Sequence, residues 1–85
     1  MDQLEILREN LGQCDEIILD ALLMRNRIVE DIMAYKDAND LPILQPEQEK
    51  KQTDALKNKL GDNEFEEEIL DIFKYIMKNS RRIQA

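Results

Sequence analysis

The longest uninterrupted helical pattern in the chain runs from Leu4 to Asp37, and it constrains the fold more than any other feature. Proline is absent from it, and all but one of the residues read at steps of three and four have apolar or small side chains: Leu4, Leu7, Leu11, Cys14, Ile18, Ala21, Arg25, Ile28, Ile32 and Tyr35. This spacing predicts one continuous amphipathic helix with a coiled-coil-like seam. At 1.5 Å per residue the helix would span roughly 50 Å.

A rod of that length is too long for the rest of an 85-residue chain to cover. A compact domain of this size has a radius of gyration near 12 Å, so much of the seam needs another partner. A second copy of the same chain is the simplest one. Arg25 occupies a seam position where an apolar residue is expected. Its side chain either extends out to solvent at the edge of the stripe or points into a pocket for an anion.

The second helix is predicted from about Glu47 to Leu60. Residues 38–46 before it contain Asn, Asp and two prolines, which are typical of a connection. Pro46 suits the first helical position, although Gln45 is a weak N-cap. Gly61 suits the position that ends the helix. The apolar face of this helix is thin, which favours a place on the outside of the fold.

The third helix is predicted to continue to about Ile83, with Asn63 and Glu66 resembling a capping box at its start. Aromatic residues make up only 5% of the chain, and β-branched residues are sparse. The chain is therefore predicted to be all-α, with one long and two shorter helices forming a single domain over residues 1–85.

The charge and composition narrow the partners and the compartment. A net charge of −7 argues against nucleic acid or an anionic membrane surface as the main partner. No apolar run approaches the length of a membrane-spanning helix, and the first residues do not resemble a signal peptide. The single cysteine, Cys14, suggests a small buried side chain in a reducing compartment, so we expect the cytoplasm.

Residue types that are missing narrow the chemistry. The chain has no His, and Cys14 is its one thiol, which excludes His-based acid–base catalysis, Ser-His triads and the usual zinc sites. With glycine only at Gly12 and Gly61, phosphate-cradling glycine loops are excluded as well. We expect no metal and no cofactor.

Several polar residues have a helical spacing that would let them act together. Arg25 and Lys36 are three turns apart on one face of the first helix, about 16 Å along its axis. Arg8 lies 17 residues before Arg25, about 25 Å away, so only the Arg8 of a second chain could reach the same small molecule. Ser80 and Gln84 share a face of the third helix. Each of these residues taken alone is more often structural or solvated than functional.

Together these residues match the spacing of a known family. Six positions carry the pattern: Arg8, Arg25, Lys36, Glu49, Ser80 and Gln84. The surrounding text matches too, in Leu4-x-x-Leu7-Arg8, Cys14-Asp15, Leu22-Leu23-Met24-Arg25, Tyr35-Lys36, Leu41-Pro42-Ile43-Leu44, Glu49-Lys50 and Ser80-Arg81-Arg82-Ile83-Gln84. Over essentially its whole length the chain resembles the all-helical AroQ-class chorismate mutases.

The resemblance implies an intertwined homodimer with two active sites, each converting the dianion chorismate to prephenate by a [3,3] rearrangement. Arg25 and the Arg8 of the partner chain would hold the two carboxylates. Lys36 and Gln84 would donate to the ether oxygen of the breaking bond. Glu49 would bind the C4 hydroxyl, and Ser80 would lie near a carboxylate.

Two positions depart from the family pattern. Gln45 stands where Asp is common, and Gln48 stands where most members carry Arg or another cation. The loss of that charge at Gln48 removes positive potential from the rim of the expected site, although the amide keeps a donor.

Three other functions stay open at this point. Isochorismate-pyruvate lyase shares the mutase fold and a similar cationic pocket. A helical dimerisation module would explain the seam but not Arg25 within it. A mutase relic with a regulatory role is the third alternative.

Overall fold

Three helices make up the computed structural model, which describes residues 2–43 and 45–84. They are α1 (Gln3–Ala38), α2 (Pro46–Leu60) and α3 (Glu66–Gln84). Within the described ranges there is no strand, so the predicted all-α class with one long and two shorter helices is confirmed. Leu44, which belongs to one of the resembling segments, lies outside the described residues.

The first helix begins at a side-chain cap and runs the length of the molecule. The Asp2 carboxylate accepts a hydrogen bond from the Glu5 backbone N–H at 2.8 Å and so satisfies one of the first unpaired donors. With 36 residues the helix is about 54 Å long, which accounts for the longest dimension of the chain, 57 Å. The radius of gyration is 16.5 Å, well above the value of about 12 Å for a compact domain of this size.

The end of α1 is closed by a left-handed residue. Asp40 has a φ of 53°, a conformation that Asp tolerates better than most residues. The Leu41 N–H then bonds back to the Lys36 carbonyl at 2.8 Å, as in a Schellman motif. This turn sends the chain back toward Lys36. The connection can therefore contribute to the same region as the end of α1.

The shorter helices start and stop largely as their sequences predict. Pro46 is the first residue of α2, and Gln45 forms no side-chain cap. Gly61 ends α2 with a φ of 57°, where a side chain would be strained. The predicted capping box is wrong: the Asn63 side chain accepts from the Phe65 N–H at 2.8 Å. Asn63 lies too far upstream of Glu66 to cap α3 and forms an Asx-turn instead.

The third helix packs against both of the others and carries most of the small core. Among the described residues, only Val29, Met77 and Ser80 are buried. Val29 belongs to the second half of α1, and the other two belong to the second half of α3. None of the helices in the described ranges is long and apolar enough to cross a membrane.

The first half of α1 is uncovered. Residues 2–21 are all exposed, including Cys14, which the seam pattern had predicted to be buried. Most of the large apolar side chains here are more than half exposed, among them Leu11 at 62% and Ile17 at 68%. An apolar surface of this length is unusual for a chain that works alone.

Candidate functional site

A cavity of about 280 Å³ lies between the second half of α1, the first half of α2 and the last turns of α3. Its size is near the lower end of the range for small-molecule sites. The cavity is lined by four apolar side chains: Val29, Ile32, Ile43 and Met77. The other lining residues are polar: Arg25, Lys36, Gln45, Gln48, Glu49, Gln52, Ser80, Arg81 and Gln84.

The structure brings together all but one of the residues that the sequence singled out. The six in the cavity wall come from the three helices: Arg25, Lys36, Gln48, Glu49, Ser80 and Gln84. Arg8 is not among the lining residues and is exposed near the start of α1. The helical rise separates it from Arg25 by about 25 Å, so a single chain does not bring these two cations together.

Arg25 is held by a buried hydroxyl. Its Nη1 donates to Ser80 Oγ, and the same hydroxyl donates its one proton to the Ile76 carbonyl at 3.0 Å. Ser80 is only 7% exposed. Because its proton is already used, Ser80 presents a lone pair to Arg25 and fixes the guanidinium at the cavity wall. The Arg25 side chain is half-buried and points inward, which decides between the two orientations that the sequence left open.

Lys36 has two oxygen partners on different segments. Its Nζ donates to the Ile43 carbonyl at 2.8 Å and to Gln84 Oε1 at 3.0 Å. An ammonium group has three N–H donors, so one remains for a ligand. Since Gln84 uses its oxygen to accept from Lys36, its amide nitrogen is the atom left to donate. Two donors from separate helices therefore adjoin each other in the cavity.

The side-chain ends of Arg25 and Lys36 are closer together than their positions on α1, because both bond to residues of α3. Arg25 and Lys36 leave α1 about 16 Å apart along its axis, but their partners Ser80 and Gln84 are one turn apart, about 6 Å, on α3. The side chains thus lean toward each other. One small molecule can contact both.

Arg81 is a cavity residue that the sequence analysis did not assign to the site. Its Nη1 lies 2.5 Å from Glu49 Oε1, and both side chains are partly exposed, 40% and 38%. Gln52 and the apolar Val29, Ile32, Ile43 and Met77 were also missed. Arg81 follows Ser80 directly and precedes Gln84 by three residues, so the helical spacing of α3 could have indicated it.

The chemistry available here is that of binding and hydrogen bonding. Three cations and one carboxylate line the cavity, a net charge of +2 in a chain whose total is −7. The other polar groups are amides and a hydroxyl. Such a site can hold a dianion and stabilise a negative charge that develops on it. Neither binding the dianion nor stabilising its charge requires a nucleophile.

Comparison with known proteins agrees with this geometry. The family described as "Chorismate mutase type II" matches residues 7–85. A chorismate mutase of Methanocaldococcus jannaschii is 25% identical over 85 residues, which cover 99% of this chain and 86% of that protein. No solved structure gives a significant match.

Proposed function

The chain belongs to the chorismate mutase type II family, and we propose that its cavity rearranges chorismate to prephenate. In this isomerisation one C–O bond breaks, one C–C bond forms, and no proton is transferred. A site without His and without an activated nucleophile is sufficient for such a reaction. What the protein must supply is a compact substrate conformer and stabilisation of the charge that develops on the ether oxygen.

The observation that carries this proposal is the hydrogen bond between Lys36 and Gln84. The remaining Lys36 N–H and the Gln84 amide nitrogen are adjacent donors. In this proposal both donate to the ether oxygen of the substrate. A donor aimed at a developing oxyanion typically contributes 10²–10³-fold in rate. The mutual hydrogen bond holds both groups in place before substrate arrives, which lowers the cost of organising them in the transition state.

The other polar residues are assigned to binding. Arg25, fixed by Ser80, holds one substrate carboxylate with its planar fork. Glu49 accepts from the C4 hydroxyl through the carboxylate oxygen that Arg81 does not use. Gln48 offers an uncharged amide at the α2 side of the cavity.

A second copy of the chain completes the site in this proposal. The exposed apolar half of α1 supports pairing of two long helices, in an intertwined homodimer of the kind that the family resemblance implies. The partner subunit's Arg8 would then hold the other substrate carboxylate.

A reducing compartment, the cytoplasm, suits the free and exposed thiol of Cys14.

The dimer has its own test. A protein whose fold depends on pairing has an unfolding midpoint that rises with protein concentration. We expect this rise in thermal unfolding over a hundredfold range of concentration, together with a dimer mass by sedimentation. A monomer mass with a constant midpoint would contradict the shared site.

The activity is tested with purified protein and two substrates in parallel. With chorismate we expect loss of its absorbance and an equal amount of prephenate by chromatography. With isochorismate we expect little release of pyruvate. Pyruvate from isochorismate without prephenate from chorismate would reassign the chain as an isochorismate-pyruvate lyase. Neither product, from protein that is fully helical by circular dichroism, would refute the proposed function.

A further inference from the structure

The α2 side of the cavity has its own electrostatic character. This segment contributes three neutral amides, Gln45, Gln48 and Gln52, and one negative charge, Glu49. Arg25 and Lys36 both come from α1, and their polar ends are held at Ser80 and Gln84. A dianion that fills the cavity would therefore meet amides and a carboxylate on its α2 side, unless another cation is present there.

Arg81 is that cation. It projects from α3 toward α2, as its 2.5 Å contact with Glu49 requires. A guanidinium has five N–H donors, and the contact with Glu49 engages one nitrogen, Nη1. The remaining donors keep the fork geometry that binds carboxylates bidentately. Glu49 restrains the side chain, so less of its freedom is lost when a ligand binds.

We propose that Arg81, held by Glu49, is a substrate-binding residue that contacts a carboxylate of the substrate on the α2 side of the cavity. The inference rests on the proposed function, because it needs a dianionic substrate there. It also assigns Glu49 a second role, as the positioning residue of a cation. With Arg81 included, the cavity lining of one chain carries a net charge of +2, to which the partner's Arg8 would add a further cation in the proposed dimer.

The first test compares Arg81→Gln with Arg82→Gln. Arg82 is the next residue and exposed, and it does not line the cavity. Both variants lose one positive charge from the same turn of α3. We expect Arg81→Gln to raise KM for chorismate about tenfold or more, the scale of a hydrogen bond to a charged group, with kcat changed less than threefold. Arg82→Gln should leave both parameters within twofold of the parent.

The ionic strength dependence adds a readout that a purely structural role would not give. The KM of the parent should rise with salt more steeply than the KM of Arg81→Gln, because one partly exposed ion contact is missing in the variant. Prephenate binding measured by calorimetry should weaken in parallel with KM. Arg81→Met is a second variant without charge, so a folding defect of one replacement does not end the test.

A double variant separates direct binding from an effect through Glu49. If Arg81 acted only by orienting Glu49, Arg81→Gln would add nothing to Glu49→Gln. We expect the double variant to have a KM at least fivefold above that of Glu49→Gln. An equal KM for these two, or an Arg81→Gln KM within twofold of the parent, would overturn the role of Arg81. A parent protein that does not convert chorismate would refute the proposed function instead.

Discussion

Lys36 and Gln84 are 48 residues apart in the chain, and Lys36 Nζ donates to Gln84 Oε1 at 3.0 Å. The bond joins the end of α1 to the last turn of α3. The same bond determines which atom of the Gln84 amide can bind a ligand. The oxygen accepts from Lys36, and the nitrogen is left as a donor. A pair arranged in this way is organised before substrate binds.

Replacement of Lys36 tests the oxyanion role directly. In the proposed mechanism Lys36 donates to an oxygen that gains negative charge in the transition state, so Lys36→Ala should lower kcat by about 10² or more. The kcat of the variant is measured by steady-state kinetics with chorismate. Lys50→Ala is the matched control, because Lys50 is exposed on α2 and does not line the cavity. A loss below about threefold would remove Lys36 from the mechanism.

Ser80 is predicted to act through Arg25. Ser80→Ala deletes the acceptor that fixes the guanidinium, so KM should rise about tenfold while kcat falls less. Thr53→Ala deletes another hydroxyl, which bonds to the Glu49 carbonyl outside the cavity, and it should leave KM within twofold. Equal KM values for the two variants would mean that Arg25 keeps its position without Ser80.

Gln48 offers a gain of function. Gln48→Arg adds a positive charge to the cavity rim and should raise kcat/KM on chorismate two- to fivefold at low salt. The gain should shrink above about 0.1 M salt, where exposed charges are screened beyond about 10 Å. Asn58→Arg adds the same charge to the exposed end of α2 and should have no effect. No gain at low salt would show that the rim is already compensated.

Mixed dimers test whether each site draws on two chains. If Arg25 and the partner's Arg8 each hold one substrate carboxylate, as proposed, Arg8→Ala and Arg25→Ala should each be nearly inactive. When the two variants are unfolded together and refolded, half of the dimers should be mixed, and one of their two sites receives neither mutation. Activity should then recover to roughly a quarter of that of the parent. Mixed dimers that form without recovery would exclude Arg8 from acting across the interface.

Helix positions were predictable because they depend on local pattern. The sequence predicts the first helix over Leu4–Asp37, and the structure has Gln3–Ala38. It also predicts the end of α2 at Gly61, because only glycine adopts that conformation easily. The capping-box prediction for Asn63 is wrong because the same side chain also forms Asx-turns in the connection before a helix. Asn63 accepts from the Phe65 N–H, and α3 begins only at Glu66.

The interior of the site was less predictable for a different reason. The pair of Arg81 and Glu49 depends on how α2 packs against α3, which periodicity within one helix does not encode. The family resemblance indicated Arg25, Lys36 and Gln84 as a set, and the structure places them in one cavity. It did not indicate which atoms of that set are already used within the protein.

The contact between Lys36 and the Ile43 carbonyl has a consequence for mutational tolerance. Every amino acid carries that carbonyl, so substitutions at position 43 preserve the acceptor as long as the backbone path is unchanged. An inserted or deleted residue in the 39–45 connection would displace it, whatever the chemistry of the residue. In the 39–45 connection, the number of residues is therefore under tighter constraint than the identity of the side chain at position 43.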